Sequence, residues 1–234
     1  MRALIVLIVL FISHNSASQV NTRRMTSELY RADEYIKYRD KTMSYSLPKD
    51  YHGSPYFNDN FVLGNVYKGN ELLAEDIPLR YNIFSNEIEV KESLEEGDED
   101  AKPLTKSSEI FVKIDDTIII LVPFNGKDED GSYFQVLFEG KKINFLKKVT
   151  KEYTSPKKAS TSITRDLKGA FTDKTTFFLQ TKSGKMYELP KAKNKKLLVF
   201  GKDKEYLQEF ARKNNLNLNK EEDLKKLIVH YDSL

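Results

Sequence analysis

Apolar and polar residues alternate through most of the chain between residues 61 and 149, and short polar dipeptides interrupt the alternation. A period of two is typical of strands that bury one face, and dipeptides such as Gly69-Asn70 and Ser85-Asn86 favour tight hairpin turns. Asp115-Asp116 and Glu139-Gly140 are turns of the same kind. The pattern predicts eight strands: Phe61–Lys68, Glu71–Ile77, Leu79–Phe84, Glu87–Glu92, Glu109–Ile114, Thr117–Val122, Tyr133–Phe138 and Lys141–Val149.

The arrangement of these strands predicts a mainly β (α+β) protein. No helical pattern separates them, so we expect an antiparallel meander that forms a roll, a barrel or a sandwich. Ile88 and Val90 alternate with charged residues, which indicates a strand with one face toward water. The run from Ile118 to Val122 is apolar on both faces and predicts a central strand. The strands are shorter than the roughly 9–11 residues that an outer-membrane barrel requires.

Helical periodicity is confined to the two ends of the chain. Thr26–Arg39 predicts an amphipathic helix, because Met25, Leu29, Ala32 and Ile36 share one face. Near the other end, Asp203–Asn214 predicts a helix, and Asn219 caps a final one, so we expect an antiparallel helix pair.

The remaining segments complete the predicted organisation. Ser155–Lys174 is rich in Lys, Ser and Thr and predicts a loop or linker. Thr175–Lys182 and Lys185–Leu189 predict a last hairpin around Ser183-Gly184. The chain then divides into a signal peptide over residues 1–18, a helix and irregular segment over 19–60, an antiparallel β domain over 61–190, and a basic helical segment over 191–234.

The first residues have the layout of a secretory signal peptide. Met1-Arg2 is followed by an apolar run from Ala3 to Ile12, and Ser16 and Ser18 occupy the −3 and −1 positions of a cleavage site. The apolar run is too short to span a bilayer. We therefore expect an exported protein, periplasmic or extracellular, whose mature chain begins at Gln19 and has no transmembrane segment.

Composition adds two constraints. The chain has no Cys, which excludes disulfides and thiol chemistry, and its 13 Tyr and 14 Phe are expected to dominate the core. Charge is unevenly distributed: residues 19–140 hold 14 Lys and Arg against 24 Asp and Glu, whereas residues 141–234 hold 23 against 11. Either the two halves face one another or are simply solvated, or the basic half meets an anionic partner.

The sequence contains no recognisable catalytic machinery. Motifs for a serine nucleophile, a phosphate-binding loop or a dinucleotide are missing, and only His52 and His230 remain after signal cleavage. The pattern predicts no metal site, no cofactor and no nucleic-acid partner. The acidic clusters Asp98-Glu99-Asp100 and Asp128-Glu129-Asp130 are expected to be solvated turns. Carboxylates paired by the fold, as in glycoside hydrolases, stay open as an alternative.

A distinctive segment runs from Gly53 to Val90: GSPYFNDNFVLGNVYKGNELLAEDIPLRYNIFSNEIEV. Its Gly-Ser-Pro-Tyr and Pro-Leu-Arg-Tyr-Asn stretches, with a Lys-rich helix pair at the end of the chain, resemble a family of exported, functionally uncharacterised β-rich proteins of Bacteroidetes-type bacteria. The resemblance covers most of the mature chain. It implies export, one continuous architecture and a non-enzymatic role.

Three residues of this segment form the candidate binding site. Strand alternation puts Leu79, Tyr81 and Ile83 on one face, so Arg80 and Asn82 face outward or toward the loop of residues 53–60 that contains Tyr56. We expect Arg80 to brace this loop through a carboxylate such as Asp59 or Asp76.

Together these patterns predict a soluble binding or scaffolding protein of the bacterial envelope. Its partner would be an envelope protein or an anionic glycan or lipid surface. The alternatives are a carboxylate-dependent hydrolase, which needs a cleft with two carboxylates, and a carbohydrate-binding module, which needs a flat row of exposed Tyr and Phe.

Overall fold

The computed structural model describes residues 35–36, 51–124, 127–159 and 165–234. The predicted signal peptide lies outside the described residues, as does the predicted N-terminal helix except for Tyr35 and Ile36. At Ile36 the chain does not continue a helix: it forms an antiparallel bridge with Leu104 and buries its side chain in the core.

The described chain is mainly β, as the alternation predicts, and its strands form one sheet. The strands are β1 (Tyr51–His52), β2 (Val62–Lys68), β3 (Glu71–Asn82), β4 (Glu87–Val90), β5 (Lys102–Pro103), β6 (Ile110–Ile114), β7 (Thr117–Phe124), β8 (Lys127–Glu139), β9 (Ile143–Thr154), β10 (Gly169–Thr181) and β11 (Met186–Glu188). The helices are α1 (Lys193–Lys196), α2 (Lys204–Lys213) and α3 (Glu221–Ser233), and 3-10 helices cover Asp98–Asp100 and Leu197–Asp203. The predicted C-terminal helix pair is confirmed as α2 and α3.

The sheet consists of two antiparallel meanders. Its order is β1-β10-β9-β8-β7-β6-β2-β3-β4-β5, with β11 beside β10. After β5 the chain returns to place β6 beside β2, so β2–β5 and β6–β10 are joined at the β2–β6 pair. β1 runs parallel to β10, which makes the sheet mixed. The sheet is not closed into a barrel, so of the three predicted shapes the barrel does not apply.

Several predicted boundaries differ from the structure. The Asp128-Glu129-Asp130 cluster, predicted to be a turn, lies within β8, which begins at Lys127 and not at Tyr133. Two other differences have local reasons. The predicted break between Ile77 and Leu79 is an irregularity inside β3, where Asp76 has a φ of 52° and its backbone N–H donates to the side chain of Asn65. The last residues of the predicted linker over Ser155–Lys174 belong to β10, which begins at Gly169. Lys157 and Leu167 continue the pairing of the two strands beyond their assigned ends.

Most of the core lies on the inner face of the curled sheet, and a smaller cluster of Val122, Phe134 and Leu146 is buried on the opposite face. One part of the inner core spans both meanders, from β2 to β8, and includes Val66, Leu79 and Ile119, all almost fully buried. The other part lies between β8–β10 and the helices, where Phe145 meets residues such as Leu227. Burial of these apolar side chains is the main stabilising term, at about 1.5–3 kcal/mol for each large residue.

Helix α3 is attached to the sheet near the end of the chain. The Asp232 carboxylate accepts the backbone N–H groups of Lys141, Lys142 and Ile143 at 2.7, 2.7 and 3.0 Å. Burial of the carboxyl opposes its charge, but these hydrogen bonds outweigh burial and lower the pKa of Asp232. The turn between β8 and β9 and the C-terminal helix are therefore held as one unit.

A short segment after β1 crosses from one end of the sheet toward β3. Gly53 has a φ of 78°, and a Cβ there would lie 2.5 Å from the carbonyl oxygen of Phe171. This turn takes the chain away from β10, after which Tyr56 forms an antiparallel bridge with Asn82 in β3. The Phe171 ring also contacts the ring of Phe84, with centroids 5.2 Å apart. The sheet is thereby curled so that the segment after β1 covers part of the β3–β4 hairpin.

Candidate functional site

The β3–β4 hairpin presents two faces of opposite character. Leu79, Tyr81 and Ile83 are buried in the inner core, as the alternation predicts. Arg80 and Asn82 lie on the outer face, and β4 adds charged residues beside them, because the register pairs Arg80 with Glu89. The outer face is nevertheless covered, and only 4% of the Arg80 side chain is exposed.

The Arg80 guanidinium is held by three chain segments. Its Nε and Nη2 atoms lie 2.9 and 2.8 Å from Glu89 Oε2, and Nη1 lies 2.7 Å from Asp98 Oδ2. Nη1 also donates to the backbone carbonyl of Asp59 at 3.4 Å. The predicted bracing carboxylates were therefore wrong: Asp59 contributes its carbonyl oxygen, and Asp76 belongs to the irregular part of β3.

Two aromatic rings enclose the guanidinium. The Arg80 Cζ atom lies 3.8 Å from the centroid of the Tyr56 ring and 4.2 Å from that of Phe61. Cation–π contacts of this kind are worth about 2 kcal/mol when they are desolvated. Burial opposes the charge, but hydrogen bonding to Asp98 and the charge of Glu89 outweigh it and raise the pKa of Arg80. Burial also raises the pKa of Tyr56.

Asn82 and Lys91 complete this group, which we call the Arg80 cluster: Tyr56, Phe61, Arg80, Asn82, Glu89, Lys91 and Asp98. Asn82 Nδ2 donates to Glu89 Oε1 at 3.0 Å, while Asn82 Oδ1 accepts the backbone N–H of Ser85. Lys91 Nζ donates to the backbone carbonyl of Glu96 at 2.6 Å and lies 3.6 Å from Asp98 Oδ1. Two cations and two carboxylates thus neutralise one another.

The structure brings all three predicted site residues, Tyr56, Arg80 and Asn82, into this cluster. Glu89, Lys91 and Asp98 were not predicted. The signal for Glu89 and Lys91 is their alternation with Ile88 and Val90, which places them on the same face as Arg80 once the hairpin register is known. Asp98 belongs to a cluster that the sequence predicts to be a solvated turn. Its side chain is 63% exposed, yet it binds Arg80.

A pocket with a volume of about 170 Å³ lies beside the cluster. Its lining joins carboxylates, lysines and apolar side chains: Ile36, Val90, Lys91, Glu92, Glu96, Asp100 and Lys102. Lys102 Nζ lies 3.3 Å from Glu92 Oε1, and Glu96 Oε2 accepts the backbone N–H of Glu92. Within the described ranges, no three His, Asp or Glu side chains are grouped closely enough to hold a metal ion.

The outer face of the sheet carries a second feature, an apolar row across neighbouring strands. The registers of β2, β6 and β7 place Tyr67, Phe111 and Ile120 side by side. The rings of Tyr67 and Phe111 stack with centroids 4.8 Å apart and planes 7° apart. On the same face Leu63 and Ile118 are 44% and 37% exposed. We call these five residues the outer apolar row.

Comparison with known proteins identifies no relative of the chain, which matches no family model, no curated protein and no solved structure. In the part of the chain that the structure describes, the helices are all too short or too polar to cross a bilayer. Functional conclusions for this protein therefore rest on the geometry of the chain itself.

The two histidines do not join the cluster. His230 lies on α3, where its ring stacks on Phe210 with centroids 3.7 Å apart and its Nε2 lies 3.1 Å from the Tyr206 hydroxyl. His52 lies in β1 and is exposed.

The uneven charge of the chain changes sign between β8 and β9, within the second meander. Among the described ion pairs, Arg80 pairs with carboxylates of the acidic half, and Lys147 and Lys151 pair with carboxylates of the basic half. Residues 141–190 hold 12 Lys and Arg against 4 Asp and Glu, whereas residues 191–234 hold 11 against 7. The β9–β10 region therefore carries more of the excess positive charge than the helices do.

Proposed function

We propose that this chain is an exported binding or scaffolding protein of the bacterial envelope that acts without catalysis, and that it binds its partner through the outer apolar row. The observation that carries the proposal is the alignment of Tyr67, Phe111 and Ile120 across three strands, flanked by the exposed Leu63 and Ile118. Apolar side chains grouped on an accessible sheet face are typical of interaction sites, and the polar Asn65 and Lys113 lie between Leu63 and the other members of this row.

The Arg80 cluster supports a non-catalytic role. Glu89 Oε2 accepts two contacts from Arg80, and Asp98 bonds both Arg80 and Lys91, so the carboxylates are engaged in holding the chain together. In this proposal the cluster fixes the segment that contains Tyr56 against the sheet. The binding surface is thus presented on a rigid support.

Site-specific photo-crosslinking tests the proposal. A photoreactive phenylalanine analogue replaces Ile118 in the outer apolar row, and the same analogue replaces the exposed Glu222 on α3 as the matched control. We expect the Ile118 variant, and not the Glu222 variant, to crosslink an envelope protein or an anionic glycan or lipid in intact cells. Equal labelling from both positions, or from neither, contradicts the proposed surface.

A hydrolase is the second candidate, and the pocket beside the cluster is the observation that favours it. Glu96 and Asp100 line the pocket together with Lys102, and a pair of carboxylates is the minimal machinery of glycoside hydrolysis. The assay is release of soluble fragments from purified envelope polymers. If the protein releases fragments, and both Glu96→Gln and Asp100→Asn abolish this activity without changing the melting temperature, the protein is a hydrolase and the binding proposal is wrong.

A carbohydrate-binding module receives less support from the aromatic residues. Sugar platforms present ring faces to solvent, whereas Tyr67 and Phe111 stack on one another and each covers one face of the other. The hydroxyl of Tyr67 also accepts a hydrogen bond from Asn65 at 3.3 Å. Apolar contact with a protein fits this surface better.

A further inference from the structure

The described part of the β9–β10 connection forms an exposed, basic end of the hairpin. Lys157 and Leu167 exchange both backbone hydrogen bonds, at 2.9 and 2.8 Å, and so continue the ladder past Thr154 and Gly169. Every described residue from 154 to 159 and from 165 to 168 is exposed. This end, which we call the hairpin tip, is therefore a structured extension of the sheet.

The tip combines cations with an exposed apolar side chain. Leu167 is 64% exposed and lies opposite Lys157 in the pairing. Within two residues of this pair along the chain are three more cations, Lys158, Arg165 and Lys168. The one acidic residue among the described tip positions is Asp166, whose Oδ1 accepts the backbone N–H of Ala159 at 2.7 Å, so the net charge of these positions is +3. The tip thus offers positive charge and an apolar group together.

We infer that the hairpin tip binds the surface of an anionic lipid bilayer. Lys and Arg near such a surface each contribute about 1 kcal/mol of attraction, which is roughly fivefold in affinity. A cationic site for an acidic protein would not require an exposed leucine, whereas insertion of Leu167 among the acyl chains gains the transfer of an apolar side chain from water. The inference rests on the proposed export, which would bring the protein to a membrane, and it concerns a surface separate from the outer apolar row.

Vesicle co-sedimentation tests the inference with the protein purified in its exported form. The vesicles are phosphatidylcholine alone, or phosphatidylcholine with an equal part of phosphatidylglycerol. We expect binding only to the anionic vesicles, and we expect added salt to weaken it. Lys157→Gln with Lys158→Gln should weaken binding about 30-fold, and Leu167→Ser about tenfold.

The matched control removes the same charge from the other end of the hairpin. Lys182→Gln with Lys185→Gln alters exposed lysines next to the β10–β11 turn, about 40 Å from the tip along a strand of 13 residues. We expect this variant to bind anionic vesicles almost as the parent does. An equal loss in the control would mean that net charge, and not the tip, determines binding, and the inference would then be wrong.

Two further outcomes also overturn the inference. Loss of binding to soluble heparin in the lysine variant, together with unchanged vesicle binding in Leu167→Ser, would indicate a polyanion site and not a bilayer site. Absence of vesicle binding, with charge-dependent self-association on size exclusion, would indicate that the tip meets the acidic half of a second copy. Because the crosslinking at Ile118 is independent of the tip, failure of the vesicle assay leaves the proposed function standing.

Discussion

Removing the Arg80 side chain should destabilise the protein strongly. In Arg80→Ala, Glu89 would lose two contacts while its side chain stays only 4% exposed, and the rings of Tyr56 and Phe61 would lose the cation between them. Breaking a buried ion pair by deleting one partner costs about 3–5 kcal/mol, because the other charge stays buried without compensation. For a chain of this size, each kcal/mol lowers the melting temperature by roughly 2–4 °C, so we expect a fall on the order of 10 °C.

Differential scanning calorimetry at neutral pH measures this effect, and two companion variants separate its causes. Asp98→Asn should cost no more than about 1 kcal/mol, since the Asp98 side chain is 63% exposed. The double variant Arg80→Met with Glu89→Leu removes both charges of the buried Arg80–Glu89 pair and should recover much of the loss. A melting temperature of Arg80→Ala within about 1 °C of the parent would refute the bracing role, and Arg80, Asn82 and Tyr56 would then be tested as a ligand surface.

Three more predictions concern Asp232, Gly53 and the signal peptide. Asp232→Asn should lower the free energy of unfolding by about 2 kcal/mol at neutral pH, because three backbone N–H groups share that carboxylate. Folding lowers the pKa of Asp232. The stability that the Asp232 carboxylate contributes is therefore complete above the pKa of this group in the unfolded chain, and it is lost as the pH falls through the pKa in the folded chain. Urea titrations of the variant and the parent should accordingly give the same free energy of unfolding in acid. Gly53→Ala should reduce the melting temperature more than Gly69→Ala: both glycines have positive φ, but a Cβ at Gly53 would meet the Phe171 carbonyl whereas one at Gly69 meets nothing within 4 Å. The intact mass of the exported protein should correspond to a chain that begins at Gln19, and a mass that includes Met1 would contradict the predicted signal cleavage.

The hydrophobic pattern was sufficient to predict most of the strands and the helix pair, because each buries one side of a regular element. It missed the two-residue strands β1 and β5 and the polar first residues of β8 and β10. It could not predict that β6 pairs with β2, since local alternation does not specify which strands become neighbours. The residue opposite Arg80 in the β3–β4 hairpin could not be predicted from local alternation either. A two-residue turn at Ser85-Asn86 would have placed Arg80 opposite Lys91, whereas the four-residue turn of the structure places it opposite Glu89.

The turn differs because its residues have partners distant in sequence. Asn86, with a φ of 56°, donates to the carbonyl of Gly131 and accepts the backbone N–H of Tyr133 in β8. Those bonds fix the turn conformation and hence the register of Arg80. Asp98 was missed for a similar reason, because an acidic cluster in a loop acquires a specific partner only when the fold brings a cation to it.

The attachment of α3 to the β8–β9 turn has a consequence for how the chain reaches its native state. Asp232 and Lys141 are separated by 91 residues, and β1 must find β10 from the opposite part of the chain. Contacts between distant residues slow folding, because the conformational entropy of the intervening loop is lost before the contacts can stabilise the chain. The β8–β9 turn therefore gains its three hydrogen bonds to Asp232 only after the last helical turn has been synthesised. We expect truncation at residue 231 to slow refolding as well as to lower stability.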